Sequence, residues 1–366
     1  MDHRVAILVV ALLLSAGPAG AAKITVHPGE SIQAAIDTAA PGSSIVVLPG
    51  TYHESGWPHA VSVTKDGIRL LAKPRHNRPV VIEQAGAQEN GIWISPEDTL
   101  APVDAELPPC GESGARIHEA EVRGFTVRGF PGYGIYLACV EDFTIRRNTA
   151  EADRTYSIFP VRSSGGRVTR NKASGTFTDA CVYVGESEDV LVDHNTATDC
   201  QIGLQLENTR NVRLERNRST SNTAGLIVDV IADRQTLVAA DNTVSRNVIA
   251  DNNRPSTGEG SGTEALVPGI GIVVNGADRT LVSRNTITGH DLTGLALLSF
   301  CIGDPDTCLE PGLPIDPYPD GNRVTRNRFA DDASDVIFLP ESGTGNCFDR
   351  NRPATLVANT TLPACP

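Results

Sequence analysis

The sequence predicts an all-β fold, a right-handed parallel β-helix solenoid with three strands per coil and a short capping helix at the N-terminus. Three observations lead to it: asparagine recurs at a fixed period, apolar residues alternate with polar ones, and long stretches with helical periodicity are missing. A period in this range indicates one structural unit that is repeated and stacked. The recurring residues are Asn148, Asn171, Asn195, Asn217, Asn247, Asn285, Asn327 and Asn351.

Intervals of 23, 24 and 22 residues separate the first four asparagines. Each unit holds two short alternating runs, a polar turn between them, the asparagine and a third short run. Alternation places side chains such as Val182 and Val184 on one face of a strand, which we expect to line the interior. Coils that rise by about 4.8 Å keep equivalent residues stacked. The asparagines are therefore expected to form a structural amide ladder and to adopt the left-handed backbone of one tight turn.

Residues 1–22 have the pattern of a secretory signal peptide, with Arg4, an apolar core over residues 5–14 and small residues ending near Ala22. No other stretch reaches the roughly 20 apolar residues of a membrane span. Residues 23–366 are therefore expected to form a single β-helix domain that is secreted or periplasmic. A formal charge of −13 without an evident basic stripe argues against nucleic acid and anionic membranes as partners. The sequence leaves the oligomeric state open.

Eight cysteines form an even set, which in an exported chain favours disulfides. No Cys-x-x-Cys occurs and the histidines do not cluster, so the sequence predicts no metal site. The register of the repeats suggests four pairs: Cys110 with Cys139, Cys181 with Cys200, Cys301 with Cys308, and Cys347 with Cys365.

A short amphipathic helix near the start places Ile32, Ala35, Ile36 and Ala39 on one face, and we expect it to cover the open end of the coil. Three stretches interrupt the period. Residues 95–115 and 302–320 follow one particular strand, and residues 252–268 precede it. These loops are expected to rise on either side of that strand as the walls of a groove.

Alignment of the strand that the loops flank predicts an outward, exposed column whose first four members are aromatic. Aromatic faces stack on sugar rings, so the column could bind a polysaccharide. The alternative is that neighbouring rings stack on one another and stabilise the sheet. The column comprises Trp93, Tyr136, Phe159, Tyr183, Gln205, Ile227, Val273 and Ala296. The candidate substrate-binding residues are Trp93, Tyr136, Phe159, Tyr183, Gln205, Glu207 and Asp229.

Ionisable residues border this column. A polysaccharide lyase needs a cation or metal to neutralise a uronate and a base to abstract a proton. A glycosidase needs two carboxylates about 5–9 Å apart, which Asp179 and Asp199 on neighbouring coils could supply. The catalytic candidates are Asp179, Tyr183, Arg154 and Arg162, with Asp153, Glu186 and the pair His290 and Asp291 as further possibilities. The last pair is expected to lie in a loop turn.

The opening PGESIQAAIDTAAPGSSIVVLPGTYHES and the repeated Arg-Asn coils resemble the secreted parallel β-helix proteins of the pectin lyase-like superfamily, including NosD-type periplasmic proteins and carbohydrate-binding and sugar-hydrolase repeat proteins. The resemblance implies the fold, but members of this superfamily include lyases, hydrolases, epimerases, tailspikes and non-enzymatic proteins. The sequence has no Asp-Pro-His-Asp segment like that of the mannuronan epimerases, and no Gly-His-Gly or Arg-Ile-Lys like those of the polygalacturonases. The NosD relation implies a periplasmic role beside copper maturation, yet Met1 is the single methionine.

Two functions remain open from the sequence. The first is an exported polysaccharide-binding or polysaccharide-degrading protein, a lyase or hydrolase acting along the groove. The second is a non-catalytic glycan-binding protein or envelope scaffold. Neither requires a cofactor, although a lyase of this acidic composition would need Ca²⁺ to bridge it to a polyuronate.

Overall fold

The computed structural model describes residues 20–96, 110, 114–257, 266–302, 306, 312–339 and 343–366. Three long parallel sheets of 12, 10 and 10 strands run along the solenoid, and each strand pairs with its equivalent in the next coil. The predicted parallel β-helix with three strands per coil is confirmed. The predicted signal peptide lies almost entirely outside the described residues, so its boundary and the single domain stay predictions.

The first sheet consists of β1 (Lys23–Val26), β2 (Ser44–Val47), β5 (Arg69–Ala72), β9 (Glu121–Arg123), β13 (Thr144–Arg146), β16 (Arg167–Thr169), β19 (Leu191–Asp193), β22 (Arg213–Glu215), β25 (Thr243–Ser245), β28 (Leu281–Ser283), β31 (Arg323–Thr325) and β34 (Cys347–Asp349). The second sheet consists of β3 (Gly50–Tyr52), β6 (Val80–Glu83), β10 (Thr126–Arg128), β14 (Thr149–Glu151), β17 (Lys172–Ser174), β20 (Thr196–Thr198), β23 (Arg218–Thr220), β26 (Val248–Ala250), β29 (Thr286–Thr288) and β32 (Arg328–Ala330).

The third sheet consists of β4 (His59–Val63), β7 (Asn90–Ile94), β11 (Tyr133–Ala138), β15 (Tyr156–Val161), β18 (Ala180–Gly185), β21 (Ile202–Glu207), β24 (Ala224–Asp229), β27 (Ile270–Asn275), β30 (Thr293–Leu298) and β33 (Val336–Phe338). A small pair joins β8 (Ile117–His118) to β12 (Val140–Glu141). The helix α1 spans Ile32–Thr38.

Inward side chains of the three sheets fill the solenoid with stacked aliphatic residues. Ile135, Ile158, Val182, Leu204 and Leu226 are register partners on five successive coils of the third sheet. All five are at most 1% exposed. This stacking follows from the two-residue alternation, because every strand sends the same positions inward.

The asparagine ladder is confirmed. Each side-chain Nδ2 donates to the Oδ1 of the next coil at 3.0–3.2 Å, and that Oδ1 also accepts the backbone N–H of the preceding asparagine. Each Nδ2 makes a second bond to a strand carbonyl, as Asn195 does with Val168 at 2.9 Å. The buried amides are thereby satisfied along the whole column.

The expectation that these asparagines adopt the left-handed conformation is wrong. The residue before each asparagine has φ between 51° and 59° instead, because the exposed residue makes the bend while the asparagine side chain turns inward. The left-handed residues are Arg147, Arg170, His194, Arg216, Arg246, Arg284, Arg326 and Arg350. They form a basic stripe, so the expectation that the chain has none is wrong.

The capping helix is confirmed: Ser31 caps α1 by accepting the Ala34 N–H at 3.0 Å, and Ile32 and Ile36 are buried. Three predicted disulfides are also confirmed, Cys110 with Cys139, Cys181 with Cys200, and Cys347 with Cys365. Cys301 is disulfide-bonded as well, and its predicted partner, Cys308, lies outside the described residues.

The three predicted insertions adjoin β7, β27 and β30, which are all strands of the third sheet. Part of each insertion, including residues 97–109, 258–265 and 307–311, lies outside the described residues, so the predicted groove walls stay a prediction. Within the described ranges, no helix is long and apolar enough to cross a bilayer.

Candidate functional site

The outward face of the third sheet carries the aromatic column in the predicted register. Trp93, Tyr136 and Phe159 are direct partners on β7, β11 and β15. Trp93 stacks on Tyr136 with ring centroids 3.9 Å apart, and Phe159 meets Tyr183 edge to face at 4.6 Å. His59 stacks on the other face of Trp93 at 4.0 Å. The rings therefore pack on one another, as the structural alternative predicts.

The expectation that this column is exposed is wrong. The exposed fractions are 2% for Trp93, 0% for Tyr136, 2% for Phe159 and 3% for Tyr183. These rings belong to a second buried cluster on the outer side of the sheet, which continues through Ile227 and Val273. A sugar cannot stack on faces that neighbouring rings already cover, so a direct stacking role would require the column to open.

A polar group continues the column. It consists of Tyr156, Asp179, Tyr183, Gln205, Glu207, Asp229 and Arg234, and we call it the acidic cluster. The Tyr156 hydroxyl donates to Asp179 at 2.7 Å, and Gln205 Nε2 donates to Asp229 at 3.1 Å.

Glu207 and Asp229 end β21 and β24 and are register partners. Neighbouring parallel strands lie about 4.8 Å apart, so the two carboxyl groups project side by side from adjacent coils. The Arg234 guanidinium donates to Glu207 at 2.6 Å, and the Tyr183 hydroxyl also hydrogen-bonds Glu207. Glu207 is thus held on two sides.

Burial sets the protonation of this cluster. Loss of solvent raises the pKa of Asp229 well above its ordinary value, and the neighbouring charge of Glu207 raises it further. Burial also raises the pKa of Asp179 to about 7, against the opposing hydrogen bond from Tyr156. Glu207 is ion-paired with Arg234. The cluster therefore places a carboxyl group whose protonated form is favoured by burial beside one that is held by a guanidinium.

Three oxygens of the acidic cluster are buried without a hydrogen-bond partner in the part of the chain that the structure describes. They are Oδ1 of Asp179, Oε1 of Gln205 and Oδ1 of Asp229. Buried polar atoms are nearly always paired, so each exception calls for an explanation. Unpaired acceptors concentrated around one carboxyl pair mark a position for water or for the hydroxyl groups of a ligand.

The structure brings together Asp179, Tyr183, Gln205, Glu207 and Asp229 from among the predicted site residues. Arg162 pairs instead with Glu186 at 3.1 Å, beyond the C-terminal end of β15, and Arg154 is exposed on the turn before that strand. Asp199, suggested as the carboxylate partner of Asp179, is an exposed left-handed turn residue. The carboxyl pair that the fold presents is Glu207 with Asp229.

His290 lies in the turn between β29 and β30, as expected, although it faces the interior of the solenoid. Its side chain is fully buried, with one ring nitrogen 3.1 Å from Asn252 Nδ2 and the other 2.6 Å from Asp332 Oδ1. Asn222 donates to Asn252 at 2.9 Å in the same column. His290 therefore belongs to a second side-chain ladder inside the solenoid.

Two members of the acidic cluster, Tyr156 and Arg234, were not predicted from the sequence. Tyr156 is the first residue of β15, whereas Arg234 belongs to no strand. Arg234 lies in the loop 230–242 between β24 and β25, which Glu186 anchors by accepting the N–H groups of Gln235 and Thr236 at 2.9 and 3.0 Å. A signal was present: the interval from Asn217 to Asn247 is 30 residues, longer than the 22–24 of the regular coils.

The parallel β-helix is shared with solved structures. The A-module of the mannuronan C-5 epimerase AlgE4 of Azotobacter vinelandii matches with a TM-score of 0.66 and 16% identity, over 92% of this chain and 94% of that chain. DFA-IIIase of Arthrobacter chlorophenolicus A6 in complex with GF2 matches with a TM-score of 0.57 and 14% identity, over 92% of each chain. At these identities the matches show the fold alone, and they confirm the parallel β-helix. No curated protein sequence is significantly similar.

A family model described as periplasmic copper-binding protein (NosD) matches residues 115–355. Copper sites in proteins are built from clustered His, Cys or Met side chains. Over the described ranges, no three His, Cys, Asp or Glu side chains are grouped to hold a metal, the cysteines are disulfide-bonded, and His290 is held between Asn252 and Asp332. These residues do not fit a copper site. The family model matches residues 115–355, which are 241 of the 366 residues, so the chain belongs to the NosD family.

Proposed function

We propose that this chain is an exported, polysaccharide-acting β-helix protein, and that it hydrolyses a glycosidic bond at the acidic cluster. The observation that carries the proposal is the pair of Asp229 and Glu207. The two carboxyl groups lie on adjacent strands, one is favoured as the neutral acid, and the other is ion-paired to Arg234.

Glycoside hydrolysis with retention uses two carboxyl groups about 5–5.5 Å apart. Strands about 4.8 Å apart suit that separation. In the proposed step, Asp229 donates its proton to the leaving glycosidic oxygen while the Glu207 carboxylate attacks the anomeric carbon. Water then cleaves the glycosyl ester and returns its proton to Asp229. Gln205 orients Asp229, and Arg234 with Tyr183 orients Glu207.

A neutral glycan suits the cluster better than a polyuronate. A lyase has to neutralise the uronate carboxylate before a base removes the neighbouring proton. Asp179, Glu207 and Asp229 place three carboxyl groups together, and the one guanidinium among them, Arg234, is engaged by Glu207. Arg154 and Arg162 have no part in the proposed step.

Substrate would reach the cluster from the side of Tyr156, Asp179 and Arg234. These three side chains are partly buried rather than fully enclosed, and Arg234 has 32% of its side chain exposed. The Oδ1 of Asp179 is buried without a partner in the described chain, and in the proposal it accepts a sugar hydroxyl once the substrate has entered the cluster. The aromatic column would then support the site from behind rather than bind sugar.

A second candidate function is a non-catalytic glycan-binding protein or envelope scaffold. The burial of Gln205, Glu207 and Asp229, each 5–6% exposed, favours it. The signal-peptide pattern and the disulfides support export under either proposal.

The test is incubation of the purified, exported protein with neutral and acidic polysaccharides, with and without Ca²⁺. New reducing ends without unsaturated products support hydrolysis. Unsaturated products, detected by their ultraviolet absorbance, would replace hydrolysis by a lyase reaction. Retention of a glycan on the immobilised protein without any product would favour the scaffold.

A further inference from the structure

A line of arginine side chains, with one histidine among them, runs along the corner between the first and second sheets. It consists of the left-handed residues that precede the ladder asparagines, and we call it the arginine stripe. Every member is exposed, and successive members lie on successive coils, about 4.8 Å apart. Its members are Arg147, Arg170, His194, Arg216, Arg246, Arg284, Arg326 and Arg350.

The backbone of this turn does not explain the arginines. A left-handed conformation costs a residue with a side chain roughly 1–2 kcal/mol, and glycine or asparagine avoids most of that cost. Gly124 occupies the equivalent position one coil before Arg147. The left-handed column between the second and third sheets uses the small or acidic residues Gly129, Ala152, Gly175, Asp199, Ser221, Asp251, Gly289 and Asp331. The column between the third and first sheets uses Asp142, Gly165, Asp189, Asn211, Asp241, Arg279, Gly321 and Gly345.

Half of the stripe is not neutralised locally. Some members pair with acidic neighbours, as Arg216 does with Glu215 at 3.6 Å and Arg350 with Asp349 at 3.4 Å. Four members make no ion pair with any residue that the structure describes: Arg147, Arg170, Arg284 and Arg326. Exposed lysine and arginine side chains flank the stripe on the second sheet, at Lys172, Arg218 and Arg328.

A shallow pocket opens beside the N-terminal end of the stripe. Arg146, Arg147, Arg167, Thr169 and Arg170 line it together with Thr144 and Glu121. Arg146 and Arg69 hold Glu121 at 2.7 and 3.0 Å, so its carboxylate is already neutralised. Arg167 likewise pairs with Asp193 at 2.9 Å. Arg147 and Arg170 are therefore the lining arginines that make no ion pair within the described chain, and these two guanidinium groups in one concave surface suit an anionic group.

We propose that the arginine stripe binds an extended polyanionic glycan that carries an acidic group on successive sugars. A straight row of seven arginines and one histidine on successive coils matches an extended chain with one anion per repeat. Duplex DNA fits less well, because each strand winds around its axis and leaves a straight row after a few phosphates. Single-stranded nucleic acid is held by exposed aromatic stacking platforms. The exposed aromatic residues of the described chain, Trp57 and Phe177, lie outside the stripe.

This surface is separate from the acidic cluster. The stripe occupies the corner opposite the third sheet, so the two sites face away from each other. The inference goes beyond the proposed hydrolysis and does not depend on it. An acidic protein that carries one cationic line would be anchored to an acidic matrix through that line, with the rest of its surface repelled.

The test measures the dissociation constant for fluorescently labelled polygalacturonate by anisotropy, with dextran as the neutral control. The variant Arg147→Gln/Arg170→Gln should bind about tenfold more weakly, since two exposed charge contacts are lost. The control Arg210→Gln/Arg279→Gln removes two exposed charges from the turns between the third and first sheets. This variant should bind like the wild type. Added salt should weaken wild-type binding.

Chain length gives a second readout. Arg170 and Arg284 are four coils apart, about 19 Å. Long polygalacturonate can contact both Arg147 with Arg170 and Arg284 with Arg326, so its affinity should fall in the variant Arg284→Gln/Arg326→Gln. A short oligomer that occupies the pocket cannot reach the second pair. Its affinity should change less in that variant. Equal affinity of the stripe variants and the wild type would overturn the proposal. So would stripe-dependent binding of duplex DNA or anionic vesicles without binding of polygalacturonate. Asp229→Asn should leave this affinity unchanged, which separates the stripe from the acidic cluster.

Discussion

The Tyr156 hydroxyl donates a 2.7 Å hydrogen bond to Oδ2 of Asp179, on the next coil of the third sheet. The other carboxyl oxygen of Asp179 is buried without a partner in the described chain. One tyrosine bond does not compensate for lost hydration, so burial prevails and raises the pKa of Asp179 to about 7. The same carboxyl group thus makes a structural hydrogen bond and titrates near neutral pH.

This pKa has a consequence for stability. Because the pKa of Asp179 is higher in the folded chain than its ordinary value of 3.8, the folded state binds the proton more tightly. Stability should fall as pH rises from about 4 to about 7, with a contribution of up to about 1.4 kcal/mol per pH unit. Asp179→Asn keeps an acceptor for Tyr156 and removes this titration. Denaturant midpoints across that range should then vary less with pH, whereas Asp331→Asn, at an exposed turn, should behave like the wild type. An unchanged slope in Asp179→Asn would contradict the assignment.

Tyr136 and Tyr156, two of the tyrosines of the third sheet, should respond oppositely to loss of the hydroxyl group. The Tyr136 hydroxyl is buried without a partner in the described structure, so Tyr136→Phe should raise the free energy of unfolding by about 1 kcal/mol. Tyr156→Phe loses the bond to Asp179 and should lower it by about 1 kcal/mol. Tyr136→Ala should lower it by about 3–5 kcal/mol, because the stacked rings lose their packing. Equal destabilisation by the two phenylalanine variants, measured by equilibrium unfolding, would show that Tyr136 has a partner.

Position in the ladder should decide the cost of losing an asparagine. Asn195 accepts from Asn171 and donates to Asn217 and Val168, so Asn195→Ala leaves polar groups unpaired on both sides. We expect Asn195→Ala to lower the free energy of unfolding by about 2–4 kcal/mol. Asn351 ends the ladder, with one ladder neighbour, so Asn351→Ala should cost less. Equal thermal midpoints for the two variants would contradict this dependence on position, and midpoints equal to that of the wild type would mean that the ladder bonds do not stabilise the solenoid.

Periodicity carried most of the fold prediction, because stacking repeats the same side-chain environment in every coil. The register of Trp93 with Tyr136 and Phe159, and the pairing of Cys181 with Cys200, follow from counting residues along that period. Exposure does not follow from it. Alternation says that Trp93 points outward from the sheet, but whether the outer face is covered depends on its neighbours and on the loops, which have no period.

The missed features have similar causes. Arg234 reaches Glu207 from a loop whose length, not its pattern, departs from the repeat. The arginine stripe escaped notice because net charge averages over the surface, while the fold concentrates Arg147, Arg170 and their equivalents on one line. The assignment of the left-handed position to asparagine rather than to the preceding arginine is an error of one residue. That error hides the stripe, because no role is then assigned to the exposed side chain that precedes each asparagine.

Turnover of a neutral polysaccharide by wild type, Asp229→Asn and Glu207→Gln tests the central claim most directly. Both replacements preserve shape and remove one ionisable group each, so folding should be retained while the release of reducing ends falls by about 10²–10⁴-fold. Asp199→Asn, at the exposed carboxylate of a nearby turn, is the matched control and should keep wild-type turnover. Undiminished turnover in Asp229→Asn and Glu207→Gln would contradict the assignment of the reaction to this pair.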